Sequence, residues 1–138
     1  MGLLRILKSD RENIRRSHVK NLICVALADG HLDPDEWDLL VTISKVMGFT
    51  EEEIHAIKSH PDRIQFRAPK KYSDKIQQIH DLVAVMTVDN HISPREVELC
   101  KRISLRLNIL PNIIDDIISD IVNPRTTTDS SRISARLA

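Results

Sequence analysis

Apolar residues recur at helical spacing along most of the chain, in stretches that are separated by proline, glycine and capping residues. The first long stretch places Leu22 and Val25 on one face and ends before Gly30. A second stretch begins at Pro34 and runs to about Met47. Apolar positions three and four residues apart are typical of amphipathic helices. The pattern therefore predicts an all-α fold of about six to eight helices.

The same pattern returns sixty residues later, which predicts an internal duplication. The offset pairs Leu22 with Leu82, Val25 with Val85, Asp29 with Asp89, His31 with His91, Pro34 with Pro94, and Glu36 with Glu96. Two copies at this period are unlike a solenoid, because solenoid repeats need several neighbours to bury their faces. We predict a single helical domain over residues 1–123, built from two repeats at about 11–59 and 73–121.

The apolar stripes of the two repeats predict which side chains form the core. Equivalent positions should be buried in both repeats, because each stripe must pack against another helix. The residues expected to be buried are Leu22, Val25, Ile43, Leu82, Val85 and Ile103. Cys24 and Cys100 lie in the same apolar stretches, where a free cysteine behaves as a small buried hydrophobic residue.

Capping residues mark the expected starts of the later helices. Asp33 precedes a proline and stands three residues before Glu36, which is the spacing of a capping box. Thr50 and Glu53 repeat this spacing before the third helix. On this interpretation Glu36 and its equivalent, Glu96, serve as capping residues.

Three further segments have compositions that suggest boundaries. Residues 60–72 contain two prolines among basic residues, which predicts a hydrated basic linker between the repeats. Residues 124–138 are rich in Thr, Ser and Arg, and we predict a loose tail there. Near the amino terminus, Ser9 and Glu12 have capping-box spacing and predict that a helix begins at Ser9.

Composition supports a helical domain and argues against several functional classes. Aromatic residues make up 3% of the chain and there are only three glycines, which is unlike an all-β sandwich. Neither a membrane-spanning run nor a signal-peptide pattern is present, so we predict a cytoplasmic protein whose only membrane association is peripheral, through partners. The motifs of α/β-hydrolases, P-loop proteins and dinucleotide-binding enzymes are missing, so we expect no enzyme activity.

Charge is balanced over the whole chain but unevenly distributed. The formal net charge is zero, yet residues 21–60 carry two basic and eight acidic side chains, whereas residues 61–75 carry five basic and two acidic ones. These charges either compensate one another within the fold or form acidic and basic faces for separate partners. The neutral total and the lack of interleaved aromatics predict no nucleic-acid binding. A protein partner of unknown identity is expected, and a homodimer remains open.

The first acidic loop is similar to the second half of an EF-hand calcium loop, in which an Asp-Gly pair is followed by a terminal glutamate. Here Asp29 begins this part and Glu36 ends it. The first and third ligand positions would fall on Val25 and Leu27, which leaves too few oxygen atoms for a tight calcium site. His31 and its equivalent lack the spacing of a zinc motif and are expected to be exposed.

Asp29 and Asp89 lie where helices are predicted to end. A carboxylate at a helix carboxyl terminus faces the negative end of the helix dipole, so each aspartate needs a compensating interaction. Three roles remain open from the sequence. These are capping of the following helix, a weak divalent cation site shared with Glu36 or Glu96, and contact with a partner.

The run from Leu22 to Glu36 resembles the TerB-like (tellurite resistance) family, which is recognised by an Ala-Asp-Gly turn, an aliphatic residue and a glutamate-bearing helix. The likeness covers most of residues 11–121. It implies an all-helical, duplicated fold that occurs in bacterial stress-response proteins and in the amino-terminal part of some membrane-tethered J-domain co-chaperones. It implies no enzyme activity.

The resemblance also implies a candidate site, since the family's acidic loop residues have been associated with metal binding. On this chain the corresponding residues are Asp29, Asp33, Glu36, Asp89 and Glu96. The leading prediction is a non-catalytic interaction module, related to stress response and tellurite resistance, with no cofactor other than a weakly bound divalent cation. The alternative is a metal-dependent helical enzyme of unknown substrate.

Overall fold

The computed structural model describes residues 2–123, except for the side chains of residues 4–8. The predicted tail, residues 124–138, lies outside this range. The described helices are α1 (Gly2–Ala26), α2 (Pro34–Val46), α3 (Glu51–Ser59), α4 (Tyr72–Thr87), α5 (Pro94–Arg106) and α6 (Asn112–Val122), and a 3₁₀ turn covers Pro61–Arg63. The prediction of an all-α fold with six to eight helices is confirmed.

The order and bounds of the helices are consistent with the predicted duplication. We call α1 to α3 the first unit and α4 to α6 the second unit. Helices α2 and α5 begin at Pro34 and Pro94 and end at Val46 and Arg106, so both of their bounds differ by the offset of sixty residues. Each unit therefore has the same sequence of three helices.

Left-handed residues follow the first two helices of each unit. They are Gly30 (φ 85°) and Gly48 (φ 101°) in the first unit, and Asn90 (φ 61°) and Asn108 (φ 61°) in the second. Glycine has no Cβ to oppose this conformation, and asparagine is among the side chains that tolerate it best. Asparagine therefore takes the place of glycine as the turn residue in the second unit.

Helices α1 and α4 form the centre of the molecule. Helix α1 packs against α2, α3, α4 and α5, while α4 packs against α1, α2, α5 and α6. A buried polar contact joins them, since His18 Nε2 lies 2.9 Å from Asp81 Oδ2. Four of the predicted core residues are fully buried in this centre: Leu22, Val25, Leu82 and Val85.

The remaining two core predictions had different outcomes. Ile103 is buried at 5% exposure, whereas Ile43 is only partly buried and packs at the edge of the core. The inward face of α2 instead contains Leu40 and Ser44, both of which are fully buried. Of the two free cysteines, Cys100 is buried, while the other is partly exposed.

The expected helix start at Ser9 is wrong, because α1 runs without a break from Gly2 to Ala26. The residues before Ser9 contain no proline, and extending a formed helix adds one hydrogen bond for each residue that becomes ordered. Helix extension therefore overrides the capping signal. Neither α1 nor any other helix within residues 2–123 is long and apolar enough to cross a membrane.

The connector between the units lies against α1. Lys20 Nζ donates a hydrogen bond of 2.7 Å to the carbonyl oxygen of Ile64, and the amide of Arg67 donates one of 2.9 Å to Ser17 Oγ. These bonds hold the basic segment on the surface of the first unit, although it contains only the single 3₁₀ turn among residues 60–71.

Candidate functional site

The two acidic loops share the same local geometry. Asp29 Oδ1 accepts a hydrogen bond of 2.9 Å from the amide of His31, and Asp89 Oδ1 accepts one of 3.0 Å from the amide of His91. A bond from a side chain to the amide two residues later is an Asx turn. The suggestion that these aspartates cap the following helix is therefore wrong, because they stabilise the loop itself.

Asp33 and Ser93 occupy the N-cap positions of α2 and α5. Asp33 Oδ1 accepts hydrogen bonds from the amides of Asp35 at 2.8 Å and Glu36 at 3.3 Å, and Ser93 Oγ accepts one from the amide of Arg95 at 3.2 Å. These bonds satisfy amides that have no partner within the helix. The carboxylate of Asp33 is thus committed to the start of α2.

The expected capping role of Glu36 is wrong, whereas Glu96 retains one contact of the capping type, with the amide of Ser93. At α3 a complete capping box forms, in which Thr50 Oγ1 accepts from the amide of Glu53 and Glu53 Oε1 accepts from the amide of Thr50. At the starts of α2 and α5 no such reciprocal bond forms. Instead, Glu36 is buried at 3% exposure and Glu96 at 1%.

Both glutamates lie on the inward faces of their helices. In α2 the buried positions are Glu36, Leu40 and Ser44, and in α5 they are Glu96, Cys100, Ile103 and Ser104. Neither carboxylate oxygen of Glu96 accepts a hydrogen bond of standard geometry within residues 2–123, although the carboxyl group of Glu36 and the amide of Ser93 lie close enough to act on its pKa. An unpartnered buried charge is costly, so this environment favours the protonated carboxyl group.

Burial raises the pKa of both glutamates. Burial first, and then the negative charge of Glu96, raises the pKa of Glu36 to about 9. Burial also raises the pKa of Glu96 to about 7, with further contributions from Asp29 and Asp89. The same two aspartates act on the pKa of Glu36. These four carboxyl groups, one aspartate and one glutamate from each unit, form what we call the carboxylate cluster.

Four of the five predicted site residues thus lie near enough for their charges to act on the glutamates, and Asp33 is not among them. Within residues 2–123, no three His, Cys, Asp or Glu side chains are placed to hold one metal ion together. His31 and His91 are exposed, as expected. The cluster can retain protons and creates a negative potential, while the divalent cation site stays a prediction.

The burial of the two glutamates was missed in the sequence, although a signal for it exists. Glu36 stands four residues before the buried Leu40, and Glu96 stands four residues before the buried Cys100. Side chains four residues apart share a helix face. Each glutamate therefore continues an apolar stripe, but its position three residues after an N-cap residue favoured the capping interpretation.

Residues 2–59, which contain the first acidic loop and all three helices of the first unit, match the family described as Tellurite resistance protein TerB. The first unit is TerB-like. The matched part includes Asp29, Asp33 and Glu36, while the second unit lies outside the match. The chain matches no curated protein and no solved structure.

Proposed function

We propose that this TerB-like chain is a non-catalytic interaction module of the cytoplasm, with a role in stress response related to tellurite resistance, whose carboxylate cluster weakly binds a divalent cation. The observation that carries the proposal is the convergence of Asp29, Glu36, Asp89 and Glu96 from the two units. The acidic loops around the cluster are the proposed contact surface for a protein partner.

The chemistry of the cluster favours a hard divalent cation such as calcium or magnesium. Such ions prefer carboxylate oxygens, and a cation would offset the repulsion that adds to burial in raising the pKa of both glutamates. No hydrogen bond of standard geometry occupies the two carboxylate oxygens of Glu96 within residues 2–123. Because the carboxylates are not already placed around one ion, binding requires them to move and to release protons, and we expect it to be weak.

One observation favours the alternative function, a metal-dependent enzyme of unknown substrate. The pKa values of Glu36 and Glu96 are about 9 and about 7, and neighbouring carboxyls with separated pKa values can act as an acid and a base. The thiol nearest in sequence to Glu96 offers no nucleophile, since burial raises the pKa of Cys100 to about 12. We therefore favour the non-catalytic module.

Thermal unfolding with added calcium or magnesium tests the cation site. A cation that binds only the folded state raises the melting temperature by mass action. At constant ionic strength, millimolar cation should raise the melting temperature of the wild-type protein more than that of Asp29→Asn or Asp89→Asn. Asp35→Asn is the matched control, because Asp35 is exposed and outside the cluster. Equal responses of all four proteins would exclude the site.

Metal analysis of untagged protein separates the two functions. A stoichiometric content of zinc or iron after purification would favour the enzyme. A response to calcium or magnesium without a retained transition metal would favour the interaction module.

A further inference from the structure

A groove lined by three arginines lies between α1 and the connector, on residues that play no part in the carboxylate cluster. It has a volume of about 220 Å³ and is lined by Asn13, Arg16, Arg63, Ile64, Gln65 and Arg67. A second groove of about 230 Å³ shares Arg16, Arg63 and Ile64 with the first. Its wall also includes the apolar side chains of Ala56 and Ile57 from α3.

Hydrogen bonds between α1 and the connector fix the backbone that forms the groove. Lys20 and Ser17 of α1 bind the backbone of Ile64 and Arg67, respectively. The backbone of the connector therefore lies against α1 on either side of Gln65. The groove is thus formed by two elements that are already joined, while its exposed arginine side chains become ordered on binding.

The positive charge of the groove is only loosely compensated. Arg16 Nε lies 3.9 Å from Glu12 Oε1, and Arg67 NH1 lies 3.6 Å from Asp10 Oδ1. Hydrogen-bonded ion pairs have distances of about 2.7–2.9 Å, so these contacts are long. Arg63 forms no ion pair with any residue in the described range. Each guanidinium has five donors, and most of these remain available.

Glu53 is an acidic side chain that lines the second groove, and it takes part in the capping box of α3. Its carboxylate accepts a hydrogen bond from the amide of Thr50 in the capping box of α3. The hydrogen bonds with Thr50 and the nearby charge of Arg16 lower the pKa of Glu53. The wall of the second groove is therefore mixed. Its apolar residues are Ala56 and Ile57, while Glu53 stays ionised and His60 is a further polar residue.

We propose that the two grooves together bind a small phosphate monoester. Its phosphoryl group would lie among Arg16, Arg63 and Arg67, since guanidinium groups match the geometry of phosphate oxygens. Its organic part would lie against Ile57 and Ile64 in the second groove. This site and the carboxylate cluster share no residue, so either proposal can fail without the other.

Titration of isotope-labelled full-length protein with inorganic phosphate and with phenyl phosphate tests the site by nuclear magnetic resonance. The amide signals of Arg63, Gln65 and Arg67 should shift with both probes. Phenyl phosphate should bind several-fold more tightly than inorganic phosphate, because only phenyl phosphate carries an apolar group for the second groove. Sodium chloride at matched ionic strength is the control, and shifts that chloride reproduces would overturn the proposal.

Two variants and one matched control complete the test. Arg63→Gln and Arg67→Gln should each weaken the binding of phenyl phosphate by about tenfold, which is the expected loss for one hydrogen bond to a charged group. Arg102→Gln in the second unit should leave binding unchanged, because Arg102 is exposed and pairs with Glu98 far along the chain from the groove. Melting temperatures should show that all three variants remain folded. Equal affinity in the four proteins would overturn the site.

A vesicle experiment tests whether the bound phosphoryl group belongs to a small molecule or to a lipid headgroup. Vesicles of phosphatidylcholine containing phosphatidic acid should not retain the protein, because the proposed ligand is a small molecule. Retention of the protein on these vesicles, without measurable binding of free phenyl phosphate, would replace the small-molecule site with a lipid surface and overturn the proposal.

Discussion

The two acidic loops have the same geometry but differ in sequence. The positions that differ are the left-handed turn residue and the N-cap residue of the following helix. The left-handed residue is Gly30 in the first loop and Asn90 in the second. The N-cap residue is Asp33 before α2 but Ser93 before α5. By contrast, both loops place an aspartate and a buried glutamate in the carboxylate cluster. Several residue types can form the turn and the N-cap, so these positions can differ between the loops. Neither the turn nor the cap requires a buried glutamate.

The two glutamates also differ from each other. The pKa of Glu36 is raised to about 9 and that of Glu96 to about 7, with burial as the main cause in both. Because each carboxyl group acts on the pKa of the other, the two titrate as a pair above the usual range of glutamate. The cluster is therefore symmetric in residue type, although the two pKa values are raised to different extents.

The largest expected effect tests whether the two units share one core. Leu22 and Leu82 are equivalent and fully buried, so Leu22→Ala and Leu82→Ala should each lower the free energy of unfolding by about 2–5 kcal/mol. Leu105→Ala, at a position that is 58% exposed, should change it by less than about 0.5 kcal/mol. Urea unfolding measures all three. A small loss for only one buried leucine would mean that the units contribute unequally to the core.

Most of the fold was predictable because its determinants are local. The apolar spacing and the Asp33 cap placed α2, and the pairing of Pro34 with Pro94 placed α5, since these signals depend on residues within one or two turns of each helix start. The start of α1 was wrong because a local capping pattern competes with extension of the helix, and the sequence does not show which is stronger.

The candidate site was only partly predictable because it depends on contacts between distant segments. The acidic residues were identified from their type and repetition, but the convergence of Glu36 and Glu96 depends on how the two units pack. The shift of the inward face of α2 from Ile43 to Leu40 and Ser44 has the same origin. Helical period defines a stripe to within about one residue, and tertiary packing selects the face.

The next largest effect concerns the turns that follow α2 and α5. Gly48 has φ 101° and Asn108 has φ 61°, so only the first lies beyond the usual left-handed region for a residue with a Cβ. Gly48→Ala should lower the free energy of unfolding by about 1–3 kcal/mol through backbone strain. Asn108→Gly should have little effect. Urea unfolding of the two variants gives the comparison, and an equal loss in both would contradict it.

A pH effect of about 1 kcal/mol is expected from the two glutamates together. Each has a raised pKa in the folded state, so its contribution to stability is full below about pH 4.5, the unfolded value, and is lost as pH rises through the folded value. The wild-type protein should therefore lose stability between pH 5 and pH 9. Each unit of pKa shift corresponds to ~1.4 kcal/mol, and relaxation of the loops with entry of water on ionisation reduces the loss that is observed.

The variants Glu36→Gln and Glu96→Gln test this assignment. Glu96→Gln should remove the part of the loss that occurs up to about pH 7. Glu36→Gln should remove the part that continues toward pH 9, and Glu96→Gln should also reduce that part, because the charge and hydrogen bond of Glu96 raise the pKa of Glu36. Glu52→Gln, at an exposed position of α3, is the control. Melting temperatures measured across this pH range provide the comparison. A wild-type protein that is equally stable at pH 5 and pH 9 would show that the cluster remains solvated.

The smallest effect concerns two exposed ion pairs, each of which joins the second and third helices of one unit. Lys45 Nζ lies 2.7 Å from Glu51 Oε1 between α2 and α3, and Lys101 Nζ lies 3.0 Å from Asp115 Oδ2 between α5 and α6. Surface pairs contribute little and are screened by salt. Glu51→Gln and Asp115→Asn should each lower the melting temperature slightly at low salt and not at all in 1 M sodium chloride. A loss that persists in high salt would indicate a packing role.

The pair formed by Glu51 also predicts a pH dependence opposite to that of the carboxylate cluster. The hydrogen bond from Lys45 and the charge of Lys45 lower the pKa of Glu51, so its contribution is present above about pH 4.5 and is lost as pH falls through the lower folded value. Acidification from pH 9 to pH 5 should therefore stabilise the protein through Glu36 and Glu96, and further acidification should destabilise it in part through Glu51. Glu51→Gln should reduce only the acid-side loss, and a change on the alkaline side in this variant would contradict the assignment.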